Sequence, residues 1–215
     1  ELLEYRPRSV IRNPSYYFKE GATWSTLSSD FAMRFSPEGF MFETKGSMLF
    51  PRRAEDMGWL LGYVNTPIAR ELIDCLSPTL DYHEGPVSRI PVLLPADPER
   101  VTAQVDEALS LAVSTWCRRE TSPEFAAIGA SADGHSRLSE LLAGERDRML
   151  QAEATILEIE RRIEEHFRDS ANIGPEVFPC EEQRPTGLVD GAVADAKAWR
   201  KVLVTDLLSY AIGCM

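Results

Sequence analysis

The chain has 215 residues, of which 44% are hydrophobic and 27% charged, and its formal net charge is −11. This composition is that of an ordinary globular protein with one large domain or two small ones, and it excludes a wholly disordered chain. Apolar runs such as residues 59–64 fall far short of the roughly 20 residues that a membrane span needs, and the N-terminus lacks a signal-peptide pattern, so the sequence predicts a cytoplasmic protein without membrane contact.

The charge is unevenly distributed along the chain. Residues 1–53 hold eight Lys or Arg against six Asp or Glu, which leaves a net charge of −13 on residues 54–215. Because phosphate contacts need clustered cations, any nucleic-acid contact is predicted within the N-terminal quarter.

The first element is a small sheet. Apolar and polar residues alternate over 31–35 and over 39–43, which predicts two strands. Ser36-Pro37-Glu38-Gly39 between them has the chemistry of a turn, so the two segments are expected to form a hairpin or two strands of a small twisted sheet.

Two short helices are predicted between residues 54 and 75. Asn65-Thr66-Pro67 marks the break, with Asn or Thr as the N-cap and Pro in the first turn of the second helix. Residues 77–95 are expected to form extended or loop structure. The prolines of Ile90–Pro95 exclude a helix and a central strand there, and we place a domain boundary at residue 95.

The second half of the chain is predicted to be helical. One helix is expected over residues 99–119, a loop over 121–134 and a long helix over 136–168, in which Leu142, Met149, Ile156 and Ile163 recur every seven residues. The long helix is expected to pair with the helix at 99–119. Glu145 and His166 interrupt its second apolar seam. Asn172-Ile173-Gly174-Pro175 is expected to end it.

A last helix is predicted at about residues 195–212, and it is still apolar where the sequence stops. We therefore expect the domain to be incomplete at its C-terminus, with the helical face at 199–212 packing against further protein. The fold class predicted is α+β: a small mixed sheet with short helices over residues 1–95, followed over residues 96–215 by a helical hairpin and one further C-terminal helix.

No metal site or hydrolytic site is predicted. The cysteines at positions 75, 117, 180 and 214 form no CxxC pair, and the three histidines lack the spacing of metal ligands. The spacing also gives no Ser-His-Asp triad, carboxylate pair or P-loop.

Asn13-Pro14-Ser15-Tyr16 is the one segment with a catalytic resemblance. It is similar to the Asn-Pro-Pro-Tyr tetrapeptide of adenine-N6 methyltransferases, in which Asn holds the target amino group and the aromatic ring stacks on the flipped base. A self-contained methyltransferase using Asn13 and Tyr16 therefore stays open as an alternative. Against it, no glycine-rich turn follows a strand to hold S-adenosylmethionine, so no cofactor is predicted in this chain.

Several blocks of the sequence, taken in order, resemble the target-recognition region of modification methyltransferases. They are similar to the PglX family, the adenine-specific methyltransferases of BREX phage-defence systems. The blocks span nearly the whole chain: Phe18–Ser25, Phe40–Phe42, Leu60–Thr66, Leu76–Leu80, Ile90–Val92, Thr115–Trp116, Glu120–Phe125, Pro175–Val177 and Ser209–Met215.

This resemblance implies the DNA sequence-recognition portion of a site-specific adenine-N6 methyltransferase, a target-recognition domain without the catalytic domain. S-adenosylmethionine is then implied for the full-length enzyme only. The implied partners are double-stranded DNA, the rest of the same enzyme chain and other phage-defence proteins. The residues predicted to contact DNA are Lys19, Thr23, Trp24, Ser25, Arg34, Lys45, Arg52 and Arg53.

A protein-interaction scaffold is the alternative from another class. In that hypothesis the helix at 136–168 binds a partner and DNA has no role. Partner capture would then survive the loss of residues 1–95.

Overall fold

The computed structural model describes residues 12–122, 124–125, 138–174, 177 and 195–213. The chain divides into two compact units. The sheet unit comprises residues 1–102 and 167–174, and the helical unit comprises residues 103–166 and 175–215. Most of the loop predicted at 121–134, and the polar segment that precedes the last helix, lie outside the described residues.

The sheet unit is built around three antiparallel strands, which are β1 (Gly21–Ser25), β2 (Arg34–Ser36) and β3 (Gly46–Leu49). β1 lies in the centre, with β2 on one side and β3 on the other. The predicted α+β class is confirmed, and the described sheet is antiparallel throughout.

The hairpin predicted from the two alternating segments is wrong. The second segment, residues 39–43, forms no strand, and β2 pairs with β1 instead. The polar backbone groups of the 39–43 segment are used elsewhere: the Phe40 carbonyl accepts from the Phe18 amide, and the Glu43 carbonyl accepts from the Gly46 amide in a tight turn. Alternation identified an extended segment here but not its hydrogen-bonding partner.

The two predicted short helices are present as α1 (Met57–Val64) and α2 (Pro67–Leu76). Thr66 is the N-cap of α2, where its hydroxyl accepts from the Ala69 amide at 3.2 Å, and Pro67 occupies the first helical position. Asn65, which follows α1, links this helix to Met33, the residue before β2. Its side chain accepts from the Met33 amide at 2.9 Å and donates to the Met33 carbonyl at 3.0 Å.

Residues 77–95 are mostly irregular but contain a short helix that was not predicted, α3 (Glu84–Val87). Tyr82, two residues before this helix, is buried. The core of the sheet unit lies between the sheet, α1, α2 and the last residues of the long helix. The large apolar side chains that are fully buried in this core are Phe31, Met33, Tyr63, Ile68, Ile73, Val101 and Phe167.

Tyr63 gives this core a pH-dependent stability. Its ring is fully buried and its hydroxyl donates to the Pro91 carbonyl. Burial raises the pKa of Tyr63 to about 12 from 10.0. The folded state therefore keeps this proton where the unfolded chain loses it, so the contribution is complete below pH 10 and is lost as the pH rises towards 12.

We expect Tyr63→Phe to lower the free energy of unfolding at neutral pH by about 1 kcal/mol, because the Pro91 carbonyl loses its donor. Above pH 10 the variant should lose less stability with rising pH than the wild type. Urea unfolding from pH 8 to 11.5 checks both effects, and the same alkaline slope in both proteins would contradict the assignment.

The helical unit contains most of three helices, α4 (Pro98–Trp116), α5 (Leu138–Ala171) and α6 (Ala196–Gly213). The seven-residue stripe of α5 is buried as predicted. Two residues of this stripe, Leu142 and Met149, form a buried apolar cluster with Trp199 and Leu203 of α6. This cluster joins α5 to α6. The Trp199 indole N–H also donates to the Leu142 carbonyl at 3.2 Å.

The break in the second seam of α5 has a structural cause. The Glu145 side chain is only 3% exposed and binds two guanidinium groups. Arg118, which follows α4, donates to both carboxylate oxygens at 2.8 and 2.7 Å, and Arg148 donates from one turn further along α5. A buried carboxylate thus replaces an apolar residue because two cations match it.

Candidate nucleic-acid interface

The sheet has one face turned to the core and one turned away from it. On β1, Ala22 and Trp24 are buried, whereas Thr23 is half-buried and Ser25 exposed. Residues paired across antiparallel strands share a face, so Arg34 of β2 and Met48 of β3, both paired with Thr23, lie on the second side. We call this side the outer face and define it by Gly21, Thr23, Ser25, Arg34 and Met48.

One end of the outer face is covered by rings. A Cβ atom added at Gly21 would lie 2.8 Å from the backbone carbonyl oxygen of Leu49, which cannot move aside, and 3.2 Å from the Phe50 ring, so only glycine fits here. Phe50 contacts Tyr16 and Phe42, with ring centroids 4.9 and 5.6 Å apart, and Phe42 contacts Tyr17 at 5.4 Å. These four residues are called the aromatic cluster: Tyr16, Tyr17, Phe42 and Phe50.

Lys19 adds a positive charge to the aromatic cluster. Its side chain is exposed, and its ammonium lies 5.3 Å from the centre of the Tyr16 ring. That distance suits a cation–π contact. The cluster therefore combines aromatic surface with a cation, a combination that is used to bind nucleobases and phosphates.

Three of the predicted contact residues lie together on the outer face. Ser25 and Arg34 are exposed, and Thr23 is half-buried between them. The Thr23 hydroxyl donates to the Ser47 carbonyl at 3.0 Å, which leaves its oxygen as an acceptor. An exposed guanidinium beside two hydroxyls can donate to phosphates and base edges, and the hydroxyl oxygens can accept from base amino groups.

Trp24 lies on the opposite face, inside the core. It is 6% exposed, and its indole N–H donates to the Tyr82 carbonyl at 2.8 Å. Its ring packs at a tilt against Phe31, which in turn packs against Tyr82. The side chain is therefore used for packing, and its surface is not available to a ligand.

Lys45 is separated from Arg34 by the sheet. Glu84 accepts from the hydroxyl of Ser47, which pairs with Trp24 on the core side of the sheet. That hydroxyl is the main reason why the pKa of Glu84 lies below its usual range, and the charge of nearby Lys45 adds to the effect. Lys45 thus lies close to a carboxylate on the core side, where its charge is partly balanced.

Arg52 and Arg53 follow β3 and differ in their surroundings. The Arg53 guanidinium donates two hydrogen bonds to Asp56, at 2.9 and 2.8 Å. This hydrogen bonding is the main reason why the pKa of Arg53 is raised and the pKa of Asp56 is lowered. Arg52 is exposed. Within the described residues it has no side-chain hydrogen bond or ion pair. Arg52 is therefore the better placed of the two to contact a phosphate.

Asn13-Pro14-Ser15-Tyr16 forms a single 3-10 turn rather than the end of a strand. Pro14–Tyr16 is the helical part, and Asn13 precedes it in a left-handed conformation with φ of 52°. The Tyr16 ring packs on Phe50 beneath Lys19. The tyrosine of this tetrapeptide is thus part of the aromatic cluster.

Four exposed residues on this part of the chain are not among the predicted DNA contacts: Arg12, Phe18, Phe40 and Met41. The alternation over residues 39–43 predicts a strand, and the folded chain has none there. Gly39, which the sequence places in the preceding turn, has φ of 96°, a conformation that favours glycine.

The described ranges contain neither a group of metal-ligating side chains nor a membrane-spanning helix. No group of three or more His, Cys, Asp or Glu side chains there could hold a metal ion. Among the helices of the described part of the chain, none combines the length and the apolar character needed to cross a bilayer.

Comparison with known proteins gives two relatives and no matching family model. The chain is 28% identical over 220 residues to the adenine-specific methyltransferase PglX of Lacticaseibacillus casei (strain Zhang), which covers 98% of this chain and 17% of that protein. It is 30% identical over 121 residues to the adenine-specific methyltransferase BrxX of Escherichia coli O9:H4 (strain HS), which covers 55% of this chain and 10% of that protein. The chain thus spans less than a fifth of the length of the curated relatives it matches. The resemblance inferred from the sequence blocks is confirmed: over nearly its whole length, the chain is similar to one part of an adenine-specific methyltransferase, PglX.

Proposed function

We propose that this chain is the DNA sequence-recognition portion of a site-specific adenine-N6 DNA methyltransferase of a BREX-type phage-defence system, without the catalytic domain. The observation that carries the proposal is the outer face, where Arg34, Thr23 and Ser25 lie side by side next to the aromatic cluster. The similarity to one part of PglX and BrxX supports the same conclusion. The full enzyme would mark self DNA by methylation.

The outer face suits a duplex because a short antiparallel sheet can present its side chains to a groove. The Arg34 guanidinium can donate two parallel hydrogen bonds to a guanine edge or a phosphate. The Ser25 hydroxyl can donate to either, and the Thr23 oxygen, whose proton is donated to Ser47, can accept from a base amino group. Lys19 at one end, together with Arg52, would contact phosphates and fix the register of the protein on the DNA.

Methyl transfer would depend on another part of the enzyme. S-adenosylmethionine is bound in such folds by a glycine-rich turn between a strand and a helix, and the described residues contain no such turn after β1, β2 or β3. The residues that the structure describes therefore do not fit this cofactor. We therefore assign its binding, and the methyl transfer itself, to the remainder of the enzyme.

Arg34→Ala tests the assignment of the outer face. We expect about tenfold weaker binding to a mixed-sequence duplex, because one charged contact is lost. The slope of the logarithm of the binding constant against the logarithm of the salt concentration should also decrease by about one. Fluorescence anisotropy at several salt concentrations measures both quantities.

Lys45→Ala is the matched control, since it also removes one exposed cation from the same unit. Lys45 lies on the core side beside Glu84, so its loss is expected to weaken binding much less than the loss of Arg34. If Lys45→Ala weakened binding and Arg34→Ala did not, the other side of the sheet would be the one that meets DNA.

A protein-interaction scaffold is the second candidate, and α6 favours it. Val202, Leu208 and Ile212 of this helix are 37%, 59% and 66% exposed. Apolar side chains on one helix that remain in solvent suit a protein partner, which would be the rest of the enzyme chain or another phage-defence protein. Partner capture by the chain after deletion of residues 1–95 would favour this candidate over DNA recognition.

A further inference from the structure

Three large apolar side chains on neighbouring loops of the sheet unit are exposed to solvent. Phe18, Phe40 and Met41 are 56%, 59% and 63% exposed. They come from two separate loops, which are joined where the Phe18 amide donates to the Phe40 carbonyl and the Gly39 amide donates to the Phe18 carbonyl, each at 3.0 Å. We call Phe18, Phe40 and Met41 the apolar tip.

The backbone of the tip is held in an unusual conformation. Phe18 has φ of 67° and Gly39 has φ of 96°. A left-handed conformation is disfavoured for a phenylalanine and persists only where surrounding contacts determine it. The two reciprocal hydrogen bonds between the loops supply those contacts, so the tip has a defined shape.

The apolar tip also contacts the aromatic cluster. The Phe18 ring lies edge-on to Tyr17 at 6.4 Å, and Tyr17 belongs to the aromatic cluster that covers Gly21. A continuous series of rings thus connects the tip to the outer face of the sheet. The tip therefore adjoins the aromatic cluster at one end of the outer face.

The charge around the apolar tip favours DNA as its ligand. Residues 12–53 contain six Lys or Arg and four Asp or Glu, in a chain whose net charge is −11. Lys19 follows Phe18 directly and lies over Tyr16, and exposed Arg12 precedes the aromatic cluster. Apolar wedges flanked by cations fit the base stack of a duplex, whose phosphates border a flat apolar interior.

We propose that the apolar tip inserts into the base stack of duplex DNA and unstacks one base step beside the site that the outer face recognises. This inference rests on the proposed function, since it names what a second surface does to the same DNA. Phenylalanine and methionine wedges separate adjacent base pairs, which kinks and unwinds the duplex. An enzyme that acts on a base must take it out of the stack, and a loosened step favours that event.

Plasmid unwinding tests the inference without knowledge of the recognised sequence. A nicked plasmid is sealed with DNA ligase in the presence of the chain and stripped of protein, and its linking number is measured by gel electrophoresis. We expect the wild-type chain to lower the linking number. The double variant Phe40→Ser, Met41→Ser should keep plasmid binding within about threefold and lose this shift.

Leu80→Ser is the matched control, because Leu80 is a 61% exposed apolar residue of the same unit outside the tip, and it should unwind DNA as the wild type does. Circular dichroism confirms that the variants fold. Binding by the wild type with an unchanged linking number, or unwinding by the double variant equal to that of the wild type, would overturn the tip inference and leave the proposed function standing. Failure of the wild-type chain to bind the plasmid would overturn both.

Discussion

Replacing Trp24 with Ala is expected to destabilise the sheet unit by about 4 kcal/mol, the usual cost of emptying a buried tryptophan site. The ring is 6% exposed and packs with Phe31, and its N–H is the donor to the Tyr82 carbonyl. Trp24→Phe keeps most of the ring but removes this donor. It should therefore cost less, about 1–2 kcal/mol.

Chemical denaturation followed by circular dichroism measures both variants. Ser25→Ala is the control, because it changes the next residue of the same strand on the opposite face, and its effect on stability should stay within about 0.5 kcal/mol. If Trp24→Ala unfolded at the same denaturant concentration as the wild type and lost only DNA binding, Trp24 would be a contact residue, as its position in the sequence had suggested.

The second large effect is expected at Arg118 in the helical unit. Arg118→Ala removes one of two cations from Glu145, whose side chain is 3% exposed. Removing one partner of a buried charge costs several kcal/mol in general. Because Arg148 remains as a partner, we expect the lower end of that range, about 2–3 kcal/mol.

Arg161→Ala provides the comparison for Arg118→Ala. Arg161 also holds two carboxylates, Glu158 and Glu165, but all three side chains are at least 41% exposed. Its removal should change the free energy of unfolding far less than the removal of Arg118 does, because exposed ion pairs are screened by solvent. Equal losses for the two variants, measured by urea unfolding of the chain, would contradict the special status of the buried Glu145 site.

The sequence predicted the helical part of the fold well, because helix periodicity is a local signal. The stripe of Leu142, Met149, Ile156 and Ile163 is buried, and α2 begins at its Thr66-Pro67 cap. The exception at Glu145 was visible as a break in the pattern. Its partner Arg118 lies 27 residues away, however, and no local rule connects the two.

The candidate site was harder to predict because strand register is a long-range property. Alternation along β1 places Thr23 and Trp24 on opposite faces, but which face meets the core depends on contacts with Phe31 and Tyr82. For the same reason Arg34 and Lys45 could not be assigned to opposite sides of the sheet. The aromatic cluster, which joins Tyr16 to Phe50, depends likewise on the folded chain.

Selection from a random library of DNA duplexes is the most direct test of sequence recognition. The chain is incubated with the library at low salt and washed at increasing salt, and the retained duplexes are sequenced. We expect enrichment of one short asymmetric site that contains adenine, and Arg34→Ala should reduce that enrichment. Retention without any enriched sequence, or no retention at the lowest salt concentration, would contradict the assignment of this chain as the sequence-recognition portion of the enzyme.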